Sequence, residues 1–125
     1  MQNQNSKIKT ELKQRAYQYS INMIKFLDSL PKDTSANIII NQLLRSSTSI
    51  CANIVEARGS SSKKDFTNFF GYSLKSANES LYWLGLLRDA KGIRSQRLDY
   101  LLNETKELAN ILGASILTLK GKNKF

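Results

Sequence analysis

The chain has no histidine, a single cysteine, a single proline and only six glycines in 125 residues. Without histidine there is no Ser-His-Asp or Cys-His catalysis, no HExxH metalloprotease helix and no ExxH di-iron site of the kind helical bundles carry. An RxxxxH-type ribonuclease motif is excluded for the same reason. One cysteine makes no internal disulfide, and no second Cys or His is present to complete a zinc site, which points to a reducing compartment. No apolar run approaches the roughly 18 residues that a spanning helix needs, and the opening MQNQNSKIKTELKQR lacks an apolar signal-peptide core. The expectation is a soluble, cytoplasmic protein with no membrane partner and no cofactor.

What is present is positive charge and helical periodicity. Lys and Arg number 19 against 10 Asp and Glu, a formal charge of +9, which favours an anionic partner. A chain of this length suits one domain, with a core large enough to need neither disulfide nor metal. The scarce helix breakers fall between periodic segments. Ile8, Leu12, Ala16, Tyr19, Met23, Phe26 and Leu30 recur at steps of four and three before Pro31. Ile39, Leu43, Ser46, Ile50, Ile54 and Ala57 follow a cap at Asp33 or Thr34 and stop at Gly59. Ser62-Lys63-Lys64-Asp65 reads as a capping box opening a third stripe of Phe66, Phe70, Ser73, Ala77, Leu81 and Leu84, interrupted by Gly71 and Gly85. Leu98, Leu102, Thr105, Leu108, Leu112, Ile116 and Leu119 make the fourth, after Ser95. The spacing predicts helices over about 6–30, 34–58, 62–91 and 95–120, an all-α chain whose simplest arrangement is an antiparallel up-down-up-down four-helix bundle.

Further apolar positions lie off these stripes. Tyr72, Trp83 and Leu86 form a second series on the third helix, Tyr17, Ile21 and Ile24 one on the first, and Ile40, Leu44, Cys51 and Val55 a neighbouring one on the second. These are either the margins of a wide core or a surface for protein contact, for which a small chain's default is a homo-oligomer. The candidate interface is Tyr17, Ile21, Ile24, Tyr72, Trp83 and Leu86.

In an up-down bundle the start of helix one, the loop between helices two and three and the end of helix four share one end. Lys7, Lys9, Lys13, Arg58, Lys63, Lys64, Lys120, Lys122 and Lys124 gather there, a candidate surface for RNA or DNA phosphates. The opposite end carries Arg88, Lys91, Arg94 and Arg97 against Asp89 and Asp99. Clustered cations also serve as a solvated face, and no helix-turn-helix, RNP pair or zinc finger supports base-specific reading.

Ser46, Ser47, Thr48 and Ser49 stand consecutively inside helix two, where hydroxyls compete for backbone groups. With no histidine, no GxSxG elbow and no SxxK element, close helix packing explains them better than a nucleophile does. Arg45 and Glu79 lie level across the turn between helices two and three, which predicts an ion pair. Asn53 levels with Thr67 and Asn68, and Glu56 with Lys64, which predicts polar ties; Asp65 belongs to the capping box. These acidic residues thus have structural roles, and no pair is set for acid–base catalysis.

The run Gln42-Leu43-Leu44-Arg45-Ser46 through Ser49-Ile50, then Asn53-Ile54-Val55-Glu56, Lys64-Asp65-Phe66, Phe69-Phe70 and Ser76-Ala77-Asn78-Glu79, resembles a four-helix bundle family. That family includes proteins encoded by intervening sequences in bacterial large-subunit ribosomal RNA genes, and is similar to accessory proteins of diversity-generating retroelements. Ala57 and Ser60 stand where the family pattern has glycine and a basic residue. The resemblance implies a bundle assembled as a pentamer with a positive surface for nucleic acid and, for the retroelement relatives, binding to a reverse transcriptase. Two functions follow as expectations: a non-enzymatic basic oligomer that binds nucleic acid as an accessory or assembly factor, or a protein-interaction adaptor docking on the outer face of helix three or helix one.

Overall fold

The computed structural model describes residues 4–121, with side chains from residue 11 onward. The chain is all-α: α1 (Gln4–Asp28), α2 (Thr34–Arg58), α3 (Lys63–Asp89) and α4 (Gln96–Gly121). The starts of α2, α3 and α4 each have a side-chain cap for the orphan amides of a first turn. Asp33 accepts from Ala36 N at 2.9 Å, Ser62 from Asp65 N at 3.0 Å and Ser95 from Leu98 N at 3.1 Å. Helix α3 closes as Ala90 N and Lys91 N both donate to Leu86 O. The chain then turns at Gly92, whose φ of 69° is the one positive value among the described residues. That left-handed conformation favours a residue without Cβ.

Each helix packs on the next, and α4 packs on α1, with no direct backbone approach across either diagonal among the described residues. The α2–α3 contact is the most extensive and the α1–α4 contact the sparsest. Cross-helix bonds run in opposite chain order in both these pairs. Ser46 meets Ser80 and Ile50 meets Ser73; Arg15 meets Glu107, Tyr19 meets Thr105 and Ser29 meets Arg97.

The predicted stripes supply the core. Tyr19, Met23, Leu43, Ile50, Ile54, Phe70, Leu84, Leu98 and Leu108 are fully buried. Leu27, Ala36, Leu87 and Leu101 join them from positions beside the stripes. The neighbouring stripe on α2 divides: Ile40 and Cys51 are buried as core margin, while Leu44 and Val55 are exposed. Cys51 Sγ lies 3.7 Å from the carbonyl of Lys13 in the α1–α2 seam, and Ile40 packs near Leu30 and Leu87. Both are covered because α1 and α3 flank α2 on two sides. Gly71 and Gly85 sit in an unbroken α3, and a Cβ at either would meet nothing within 4 Å, so neither marks a close helix approach.

The seam between α2 and α3 is held by hydroxyls rather than by the predicted ions. Ser46 and Ser80 meet at 2.8 Å, Ser76 donates to Ser49 at 3.0 Å, and Ser73 donates to Ile50 O at 2.8 Å. Arg45 and Glu79 form no ion pair. Each lies one residue, about 100° of helix rotation, off the seam positions Ser46 and Ser80, and Glu79 accepts instead from Trp83 Nε1 one turn on, at 3.3 Å. Asn53 does not reach Thr67 or Asn68; it donates to Ser49 O and Ser49 Oγ at 2.9 Å, steadying the hydroxyl that Ser76 also reaches. Glu56 and Lys64 are both exposed and unbridged.

A polar layer crosses the bundle. Thr105 Oγ1 donates to Leu101 O at 2.5 Å, so its single proton is spent and Tyr19 is the donor in the 2.6 Å bond between them. Ser80 donates to Ser76 O at 2.8 Å, whereas the carbonyl within reach of Ser46, Leu43 O, is at 3.3 Å; the shorter competing bond claims the Ser80 proton, so Ser80 accepts from Ser46. Burial pushes the Tyr19 phenol well above its ordinary range, so it stays a neutral donor. Beside this layer Arg15 forks onto Glu104 with two bonds of 2.7 Å and reaches Glu107 as well. The Glu104 hydrogen bond, against some desolvation, holds the guanidinium above its usual pKa. No buried side-chain polar atom among the described residues lacks a partner.

Removing one hydroxyl from the Ser46–Ser80 pair takes the cross-helix partner from the other and leaves it only a bond within its own helix. Ser80→Ala is expected to cost about 1–2 kcal/mol in urea unfolding, whereas Ser46→Ala with Ser80→Ala costs clearly less than the sum of the single changes; strict additivity in that double-mutant cycle would refute the pairing. A second expectation concerns acid. The Lys91 ammonium and the Ala36 amide hold the Asp33 carboxyl below its ordinary value, so its contribution is present above the unfolded-state value of 3.8 and is lost as pH falls through the lower folded-state value. Asp33→Asn keeps the cap and removes the charge. Thermal melts from pH 6 downward should then show a smaller loss of Tm at the acid end than the wild-type chain.

Candidate nucleic-acid interface

The two ends of the bundle differ in how their cations are used. At the end formed by the α1–α2 and α3–α4 loops, Lys91 donates to Asp33 at 2.8 Å and to Ser35 at 2.9 Å. Arg88 pairs with Asp89 at 2.8 Å, an exposed contact that raises the arginine and lowers the aspartate from their ordinary values. Arg97 lies over the Phe26 ring, 5.7 Å from its centroid. Two cations of that end, Lys91 and Arg88, are therefore paired with carboxylates within the fold, and Arg97 is positioned by a ring rather than by a counter-charge.

At the other end, the turn from Gly59 to Ser62 reverses the chain between α2 and α3. Gly59 N donates to Val55 O and Glu56 O, and Ser60 N and Oγ both reach Ala57 O, so the C-terminal carbonyls of α2 are satisfied locally. Lys63 and Lys64 then enter the first turn of α3, with Asp65 beside them. Two shallow depressions adjoin here. One, of about 320 Å³, is lined by Arg58, Ser60, Ser61, Ser62 and Lys63 over Phe66 and Leu119. The next, of about 390 Å³, is lined by Lys63, Lys64, Thr67, Asn68, Leu119 and Lys120. Arg58, Lys64 and Lys120 are exposed and make no ion pair among the described residues. Hydroxyls and amides interleave the cations, and the amino end of α3 adds its positive dipole end, a composition suited to phosphate oxygens.

The structure thus brings Arg58, Lys63, Lys64 and Lys120 together. Lys13 stands further along α1, its carbonyl against Cys51. The side chains of Lys7 and Lys9, and Lys122 and Lys124 altogether, lie outside the described residues. Sequence reasoning missed the lining contributions of Ser60, Ser61, Thr67 and Asn68; their polarity in a loop and a first helical turn was the available signal.

The candidate apolar surface divides. Tyr17, Tyr72 and Ile24 are exposed at 63%, 55% and 41%. Ile21, Trp83 and Leu86 are half-buried, the last two packed on the core margin, and Trp83 also meets Tyr82 edge to face at 4.8 Å. Tyr82, at 60%, was not among the expected residues. Among the described residues no cluster of acidic or cysteine side chains is arranged to hold a metal, and no helix is long and apolar enough to cross a membrane.

Comparison with known proteins agrees with this architecture. No curated protein matches the chain. A solved structure of a protein of unknown function from the S23 ribosomal protein family of Bacteroides thetaiotaomicron is similar at 31% identity and a TM-score of 0.77, covering 84% of this chain and 97% of the other. The sequence profile of the 23S rRNA-intervening sequence proteins matches residues 9–114, nearly the whole described bundle, and the chain belongs to that family.

Proposed function

We propose that this protein is a non-enzymatic, homo-oligomeric helical bundle that binds nucleic acid, RNA foremost, through phosphate contacts at the α2–α3 end. The observation that carries the reading is the gathering of Arg58, Lys64 and Lys120, none of them in an ion pair among the described residues, around two adjoining depressions beside the first turn of α3. The opposed contact order of α1 with α4 and of α2 with α3 supports the antiparallel up-down-up-down arrangement that puts these residues, and Lys13 behind them, on one end. The family description refers to a ribosomal RNA intervening sequence, and the Bacteroides relative is assigned to a ribosomal protein family; both favour RNA as the anion. Phosphate binding needs point charges and donors at intervals and no base-reading motif, which is what this surface offers.

The exposed Tyr17 and Ile24 on α1 and Tyr72 on α3 support self-association, since clustered solvent-facing aromatic and aliphatic side chains mark protein-contact surfaces. The pentamer and the reverse-transcriptase partner implied by resemblance belong to this reading. The second reading, an adaptor, uses the same outer faces of α1 and α3 for a different protein.

Anisotropy of a labelled RNA hairpin across a salt series tests the first. Lys63→Ala with Lys64→Ala should weaken binding and lower the salt slope by about two, one unit for each phosphate no longer neutralised; an unchanged slope removes these lysines from the interface. Light scattering tests the second element. The wild-type chain should have an oligomeric mass that Tyr72→Ala reduces, while a monomeric wild type would turn the exposed faces over to the adaptor reading.

A further inference from the structure

A groove on the opposite half of the molecule takes no part in the reading above. It runs between α1 and α4, the helix pair with the sparsest contact, and has a volume of about 350 Å³. Asn22 and Lys25 of α1 form one wall; Gln96, Arg97 and Tyr100 of α4 form the other, with the buried Leu101 as floor. The lining is mainly apolar, made by Leu101, the half-exposed ring of Tyr100 and the aliphatic stems of the two cations.

Three observations define what fits there. No carboxylate lines the groove, although Lys25 and Arg97 face each other across it, and neither makes an ion pair among the described residues. Arg97 is held rather than loose: its guanidinium lies over Phe26 and its Nη1 donates to Ser29 Oγ at 3.4 Å, while Nε and Nη2 have no partner among the described residues. A guanidinium fixed by its flat face and one nitrogen presents the remaining edge as a fork for a carboxylate. Finally, the polar groups at the rim are amides, Asn22 and Gln96, able to bond a side chain or a main chain.

These features select among occupants. A nucleic-acid strand needs cations repeating along a track, whereas here two cations stand on opposite walls over an apolar floor. A second copy of this chain brings 19 cations against 10 carboxylates, a poor complement for a cationic rim. We infer that the α1–α4 groove docks an acidic amphipathic helix of a partner protein, seating an apolar side chain on Leu101 and Tyr100 and a carboxylate against Arg97 and Lys25. Helix-in-groove recognition uses apolar anchors at i, i+3 or i+4 and i+7 with charge on the flanks. The site lies at the end of the bundle away from Lys63 and Lys64, so both ligands can be held at once.

The probe is a fluorescein-labelled helical peptide of leucine, alanine and glutamate with leucines at that spacing, titrated into the full-length chain at moderate salt. Binding should weaken at least about tenfold in Lys25→Gln with Arg97→Gln, a loss of about 1.4 kcal/mol, and comparably in Tyr100→Ala. It should change less than about twofold in Lys63→Gln with Lys64→Gln, while RNA-hairpin binding shows the reverse pattern. Circular dichroism checks that each variant keeps its helices, and two independent groove variants guard against one that misfolds. The inference is overturned if the wild-type chain does not bind the peptide, or if a lysine-for-glutamate version binds equally well. It is also overturned if the Lys63 and Lys64 changes weaken the peptide as much as the groove changes do, or if a single-stranded DNA oligonucleotide displaces it from the wild-type chain but not from the Lys63 and Lys64 variant. Failure of the hairpin to bind, with peptide binding intact, would count against the nucleic-acid reading alone.

Discussion

The hydroxyls of Tyr19, Ser46, Ser80 and Thr105, one from each helix, are buried at mid-bundle, and that placement constrains everything around them. A buried hydroxyl without a partner costs more than a well-made hydrogen bond returns, so each must meet its neighbour at one height along the helix axes. An apolar core of leucine and isoleucine tolerates a slide of one helix past another far better. Here a slide of one turn would separate Ser46 from Ser80 and Tyr19 from Thr105 and strip all four of their cross-helix partners. Arg15 reinforces the same height on the α1–α4 side by gripping Glu104. The polar layer thus acts as a register device, and small serines on the α2–α3 seam let those helices approach more closely than bulky residues would allow.

Register in turn decides where charge goes. With Ser46 opposite Ser80, the chain must reverse over Gly59–Ser62, and Arg58 and Lys64 emerge on either side of that turn with Lys120 of α4 alongside. At the other end the same alignment sets Asp33, the cap of α2, within reach of Lys91 beyond α3, so a cap also serves as a counter-ion. Lys91 and Arg88 at one end are thus paired with carboxylates, while Arg58, Lys64 and Lys120 at the other make no ion pair among the described residues. Where α1 and α4 contact least, the gap is a groove rather than a seam, and no carboxylate joins Lys25 and Arg97 in its lining.

Much of the architecture could be read along the chain because it follows from local rules. Apolar positions at steps of three and four, the caps Asp33 and Ser62, and the breakers Pro31, Gly59 and Gly92 specify four helices without reference to one another. Basic residues in the α2–α3 turn were legible for the same reason: a short loop keeps Arg58, Lys63 and Lys64 together whatever the rest does. The cross-helix pairings were less legible. Level placement suggested Arg45 with Glu79, but level is a statement about height and says nothing of rotation, and one residue of rotation carries both off the seam. Asn53 likewise finds Ser49 on its own helix before it can reach α3. The stripe of Ile40, Leu44, Cys51 and Val55 could not be assigned to core margin or surface from spacing alone, and the structure splits it, because a helix flanked by two neighbours buries a wider arc than one stripe defines.

The amino-acid sequence by itself determined the all-α class, the four segments and the excess of positive charge, since helix periodicity, capping and composition act over a few residues. Exclusion of histidine-dependent chemistry followed just as directly, because a missing residue type is missing in every conformation. Only the tertiary structure decided which hydroxyls meet, which carboxylates are consumed by Arg15 and Lys91, and where a groove opens between α1 and α4. Those outcomes depend on the rotation and separation of whole helices, which are set by the joint packing of all four and by the cost of leaving any buried polar group alone.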